Sequence, residues 1–65
     1  MPYDLSIIIV NWNTRDDLGR CLESLQEARA RLAMEVLVVD NGSRDGSPRM
    51  ARRRFPRVRL IATGR

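Results

Sequence analysis

Val36-Leu37-Val38-Val39-Asp40-Asn41-Gly42-Ser43-Arg44-Asp45-Gly46-Ser47 joins an apolar, β-branched run to an acidic turn that contains two glycines. The run reads as a buried strand, and it stops on a carboxylate. In open α/β sheets the ligand crevice lies outside the carboxyl ends of the strands, so such a junction is a candidate lip of a binding site. Taken singly, it reads first as a strand ended by an ordinary Asx turn. A second junction of the same kind, earlier in the chain at Val10-Asn11-Trp12-Asn13, favours the lip.

Upstream of that junction, Leu5-Ser6-Ile7-Ile8-Ile9-Val10 has no polar alternation, the pattern of a parallel-sheet strand buried on both faces. Thr14 follows with Asp17 three positions on, which predicts a capping box opening a helix. Leu18, Cys21, Leu22 and Leu25, with Ala28 and Leu32 beyond them, recur at helical spacing and predict an amphipathic helix from Thr14 to near Ala30. On that stripe Cys21 is expected to be a buried, inert thiol. Downstream, Ser47-Pro48 reads as N-cap and first helical residue of a short helix ending near Arg54, with Met50 and Ala51 inward and Pro56 as the stop. Val58-Arg59-Leu60-Ile61-Ala62 is a third strand.

The order is βαβαβ, and strands linked through helices pair in parallel with right-handed crossovers. The expected fold class is therefore α/β, half of a nucleotide-binding sheet, carried by residues 1–65 as a single partial domain. Both sheet edges are expected to be open.

Composition bounds this reading. A chain of 65 residues buries only about 60 % of its unfolded surface. One cysteine and no histidine leave neither a disulfide nor a zinc site to staple it. All twelve basic residues are Arg, and six of them fall between Arg49 and Arg59 with no acid among them. A solvated Arg-rich helix face is the commoner cause of such a run, and phosphates of a nucleotide, an RNA or an anionic lipid surface are the other partners it could meet. Phe55 is the sole aromatic within it, fewer than single-strand nucleic-acid binding asks for. Asp4 in place of a basic leader, and a longest apolar run of only Ile7 to Val10, predict neither a cleavable signal nor a membrane span. The cytosol is the expected compartment.

Other α/β sites are excluded by their missing chemistry. The place after the first strand, where a dinucleotide fold needs glycines, holds Asn11-Trp12-Asn13-Thr14, and a P-loop needs a Lys that the chain lacks altogether. An EF-hand fails because Gly42 and Arg44 stand where oxygen ligands belong. If the first two strands are neighbours, Trp12 lies beside Asp40. An indole stacks on a base, and a carboxylate accepts from a base N–H or a ribose hydroxyl. Trp12 as a core or interface anchor remains the alternative.

The segments Leu5 to Asn13, the helix with Leu18 and Cys21-Leu22-Glu23-Ser24-Leu25, and Glu35 to Ser47 together resemble the N-terminus of family 2 glycosyltransferases. The resemblance spans nearly the whole chain. The asparagine-rich turns look most like the bacterial rhamnosyl- and galactofuranosyl-transferases. It implies a GT-A (Rossmann-like) fold, a nucleotide-diphosphate-sugar donor, inversion at the anomeric carbon, and a role in cell-wall or polysaccharide biosynthesis. By position, it also implies that Val10 meets the nucleoside through its backbone, Trp12 stacks on the base, Asp40 binds base or ribose, and Asn41 gives polar support. Trp12 replaces the tyrosine common there, and Asn41 a frequent second aspartate. Asp45 and Ser47 are expected to shape the turn and cap the next helix. Asp16-Asp17 are adjacent carboxylates in a helix's first turn, explained by its dipole.

The family's D-x-D metal motif, catalytic base and acceptor site are expected downstream of Arg65. No cofactor is therefore expected within this chain, while a divalent cation, Mg or Mn, is expected of the full-length family. The implied partners are the donor and a saccharide or lipid-linked acceptor, not a nucleic acid. Peripheral membrane association at the inner face is implied for the parent enzyme. The isolated chain is expected to be inactive and marginally folded. Two other functions stay open on the residues alone, a non-catalytic nucleotide-binding module and a small Arg-rich nucleic-acid-binding protein.

Overall fold

The elements follow the order expected from the apolar runs. In the computed structural model, which describes residues 3–63, they are β1 (Leu5–Asn11), α1 (Arg15–Arg29), β2 (Met34–Asp40), α2 (Ser47–Arg54) and β3 (Arg59–Ala62). Residues 1, 2, 64 and 65 of the expected unit lie outside the described part. The sheet is parallel in the order β1-β2-β3. Register runs from Leu5↔Met34 to Asn11↔Asp40 on one side of β2, and from Leu37↔Arg59 to Asp40↔Ala62 on the other. Trp12 thus follows directly on the residue paired with Asp40.

Alternate strand residues point to opposite faces, and only one face is covered. Met34, Val36 and Val38 are buried against Leu18 and Leu22 of α1, with Ala51 of α2 and Phe55 completing the core. Ile7, Ile9 and Leu60 pack against its margin. Each fully buried Val or Leu contributes about 1.5–3 kcal/mol. Two right-handed crossovers along strands laid in one direction put both helices on the same side. The expectation of strands buried on both faces is therefore corrected. Ile8, Val10 and Ile61 of the opposite face are exposed, beside half-buried Leu37 and Val39.

Three local expectations also change. Cys21 is exposed, because α2 packs on the other flank of the α1 stripe. There Gly19 is buried, and a Cβ on it would approach Arg54 Nη1 to 3.2 Å, with Met50 just behind. At the head of α1, the Thr14 hydroxyl does not cap the helix; it donates to Asn11 Oδ1 at 2.6 Å. α2 begins one residue earlier than expected, with Ser47 already helical and Gly46 as N-cap at φ 85°, a left-handed value that glycine adopts freely.

Candidate functional site

The carboxyl ends of the three strands meet in one polar network. Asn41 N–H donates to Asn11 O at 3.0 Å, tying β2 to β1, and Thr63 N–H donates to Asp40 O at 2.8 Å, tying in β3. Between them lies Asp40, 2 % exposed. Its Oδ1 accepts from Asn11 Nδ2 at 2.8 Å and from Ser43 Oγ at 2.6 Å, and its Oδ2 from Ser43 N–H at 2.9 Å. Burial disfavours the Asp40 anion, but bonds from the Ser43 hydroxyl and N–H, the Asn11 amide and the Gly42 N–H outweigh it. The carboxyl stays below its ordinary range.

Ser43 is the hub of this network. Its one hydroxyl proton goes to Asp40, and its oxygen accepts from Asn11 Nδ2 at 3.2 Å and Asn13 N–H at 2.8 Å, which fills a hydroxyl's capacity. Asn13 completes the stitch by accepting Arg44 N–H at 2.7 Å, while itself held at φ 52°. Asparagine tolerates that left-handed backbone better than most residues. The two turns are thereby one rigid unit.

Asp45 binds that unit to both helices. Its Oδ2 accepts Arg15 N–H at 2.8 Å, and its Oδ1 accepts Ser47 N–H at 2.9 Å and also the Ser47 hydroxyl. The Ser47 hydroxyl chiefly, with the Ser47 and Arg15 N–H groups, holds the Asp45 carboxyl below its usual range against a smaller effect of burial. A carboxylate at two helix N-termini also meets both positive dipole ends.

The expected site residues occupy different depths of this lip. Trp12 stands 63 % exposed at its rim. Val10 is 73 % exposed. Leu5 N–H donates to Ala33 O and Asn11 O accepts from Asn41, so odd-numbered residues of β1 turn their backbone toward β2. Even-numbered ones, Val10 among them, turn theirs to the open edge. Asn41 is exposed, and its Oδ1 lies 3.4 Å from Thr63 Oγ1. Asp40 is the buried member of the set, its roughly four acceptor directions met by the Asn11, Gly42 and Ser43 donors.

Asn11 and Ser43 were not singled out by sequence reasoning. Their signal was the pairing of two polar turns, each amide or hydroxyl needing a partner that only the other turn supplies. Among the described residues, no group of three or more His, Cys, Asp or Glu could hold a metal ion. The residues present here do not fit the divalent cation expected of the full-length family. No helix among the described residues is long and apolar enough to cross a membrane.

The sequence is similar to known proteins. The family model described as Glycosyl transferase family 2 matches residues 6–65. An N-acetylglucosaminyl-diphospho-decaprenol L-rhamnosyltransferase of Mycobacterium tuberculosis is 43 % identical over 60 residues, 92 % of this chain and 19 % of that protein. An uncharacterized glycosyltransferase of Escherichia coli, YibD, is 37 % identical over 60 residues, 88 % of this chain and 17 % of its own length. The glycosyltransferase AglE of Haloferax volcanii is 38 % identical over 53 residues, 80 % of this chain and 17 % of its own length. The chain therefore spans about a fifth of the length of these relatives. No solved structure matches it significantly.

Proposed function

Because the chain belongs to glycosyl transferase family 2, we propose that it is the nucleotide-holding segment of an inverting transferase that passes a sugar from a nucleotide-diphosphate donor to a saccharide or lipid-linked acceptor. One observation carries the reading. Trp12 presents its indole at the carboxyl end of β1, beside the Asn11↔Asp40 row, on turns made rigid by Ser43. A base stacks on Trp12, the open-edge backbone of Val10 meets the nucleoside, and Asn41 supports it at the β3 side. Asp40, already bonded by the Asn11, Gly42 and Ser43 donors, meets a base N–H or ribose hydroxyl by exchanging one of them. Its buried hydrogen bonds keep it ionised for that contact.

Sugar transfer also needs a base for the acceptor hydroxyl and positive charge for the departing diphosphate. Among the described residues the lip has no cluster for a metal ion, and its carboxylates, Asp40 and Asp45, are engaged within the turns. In this reading residues 1–65 bind the donor nucleotide but do not turn it over alone, and the enzyme works at the cytoplasmic face of a membrane when its acceptor is lipid-linked. The single Trp of the chain supplies the test. Titration with uridine or thymidine diphosphate is expected to quench its fluorescence saturably. Absence of saturable quenching by any nucleoside diphosphate would overturn the reading, and sugar transfer by the chain alone would overturn its proposed inactivity.

A further inference from the structure

Charge is divided unevenly along the sequence. Seven of the eight acidic residues lie at or before Asp40, and eight of the twelve Arg come after it. The fold gathers that excess onto α2. Arg49, Arg52 and Arg53 stand at i, i+3 and i+4, so they share one side of the helix, and all three are exposed. Among the described residues, none of them lies within ion-pair distance of a carboxylate. Arg54 turns the other way, to Glu23 of α1. Arg15, whose side chain also meets Asp16 at 3.3 Å, joins Arg49, Arg53 and Arg54 around a shallow depression over half-buried Met50. Among the described residues, Arg49, Arg52 and Arg53 therefore face outward without a carboxylate partner, flanked by two paired guanidinium groups, Arg15 with Asp16 and Arg54 with Glu23.

We propose that this face of α2 is a docking surface for an anionic phospholipid bilayer. Guanidinium groups pair with phosphate oxygens in a planar fork and lose less hydration than ammonium groups on doing so. The patch lies across the outside of the helix layer, around a depression that is open to solvent. That layout suits many shallow headgroup contacts. Single-stranded nucleic acid fits it poorly, because the aromatic residue within the Arg run, Phe55, is 5 % exposed and packed under Arg54. The proposal rests on the lipid-linked acceptor reading for its biological sense. α2 starts where the strands end, so a bilayer against its first turn brings the donor lip toward a headgroup-level acceptor.

Sedimentation with phosphatidylcholine vesicles, with and without phosphatidylglycerol, tests the surface without any nucleotide present. Binding to the anionic vesicles alone is expected, falling steeply with salt. The triple variant R49Q/R52Q/R53Q should bind about 100-fold more weakly. R29Q/R31Q/R59Q removes the same charge elsewhere and should stay within a few-fold of the parent chain. R49K/R52K/R53K keeps the charge and should keep binding, which guards against a Gln variant that fails to fold. Equal loss in both Gln triples, loss in the Lys triple, binding to phosphatidylcholine alone, or tighter binding to single-stranded RNA than to anionic vesicles at the same salt would each overturn the proposal. A negative vesicle result leaves nucleotide quenching at Trp12 standing, and the reverse also holds.

Discussion

The carboxylate of Asp45 accepts the backbone N–H of Arg15 at 2.8 Å across a sequence separation of 30 residues. The N-terminus of α1 is thus capped from the loop that starts α2, and the same carboxylate accepts Ser47 N–H at 2.9 Å. One side chain fixes two helix starts. Asp45→Ala is expected to lower the thermal midpoint, and Asp45→Asn to lower it less, since an amide oxygen still accepts one N–H but no longer opposes the dipoles. Circular dichroism melts of the two variants check the order. Equal midpoints for parent and Asp45→Ala would remove the tie.

Acid should weaken the fold through these same carboxylates. Asp40 and Asp45 are both held below the ordinary range in the folded state, and so is Glu35, by Arg59 first and Ser6 second. The unfolded chain therefore takes up protons before the folded chain does. Stability from these groups is fully present above the unfolded value, about 4, and is lost as pH falls through their lower folded values. Urea midpoints should be flat near neutrality and drop below about pH 4, with a shallower drop in Asp45→Asn. A midpoint that rises on acidification contradicts the sign.

Ser43→Ala should cost stability although Ser43 lies in a turn. The change strips Asp40 Oδ1 of a donor and leaves Asn11 Nδ2 and Asn13 N–H without their shared acceptor. Losses of this kind run to about 1–3 kcal/mol when the abandoned group is buried, and Asn11 is 1 % exposed. A domain of this size has only about 3–10 kcal/mol in total. Equilibrium unfolding in urea measures the difference, and a loss below about 0.5 kcal/mol would mean that water replaces the hub.

Leu22 and Cys21 are sequence neighbours with opposite expected sensitivities. Leu22 is 1 % exposed at the centre of the core, so Leu22→Ala should cost about 2–5 kcal/mol and leave much of the population unfolded. Cys21 is exposed, so Cys21→Ser should stay within about 0.5 kcal/mol of the parent chain. A thiol reagent should label Cys21 in the folded chain at a rate close to that in denaturant. Protection of the thiol would place it back in a core.

Periodicity made the element order and the parallel pairing legible, because uninterrupted runs such as Val36 to Val39 and the spacing of Leu18, Leu22 and Leu25 admit few other folds. The pairing of Asn11, the neighbour of Trp12, with Asp40 followed from that order. Which flank of α1 would be buried did not follow. Cys21 and Gly19 sit on opposite shoulders of the same stripe, and the choice between them was made by α2, packed against Gly19. The cap was illegible for a related reason. Thr14 and Asp17 form a local pattern, but Asn11 claims the Thr14 hydroxyl and Asp45 reaches Arg15 from the distant turn. The uncovered sheet face was hidden as well, since strand composition records apolarity on both faces and not which face this chain's own helices cover.

Trp12 separates binding from folding. It is 63 % exposed and, among the described residues, lies outside the core cluster and the side chains packed against it, so Trp12→Ala should leave the urea midpoint nearly unchanged. If the indole stacks on a base, the same change should weaken nucleoside diphosphate binding by about 5-fold to 150-fold, the equivalent of roughly 1–3 kcal/mol. Calorimetry is the suitable measurement, because the variant has lost the chain's only indole. Trp12→Tyr keeps an aromatic face and should recover most of the affinity. Trp12→Leu keeps apolar area but no ring face and should recover little. Equal affinities for the Tyr and Leu variants would make Trp12 a greasy edge of the lip, and a large fall in stability for Trp12→Ala would make it a structural anchor instead.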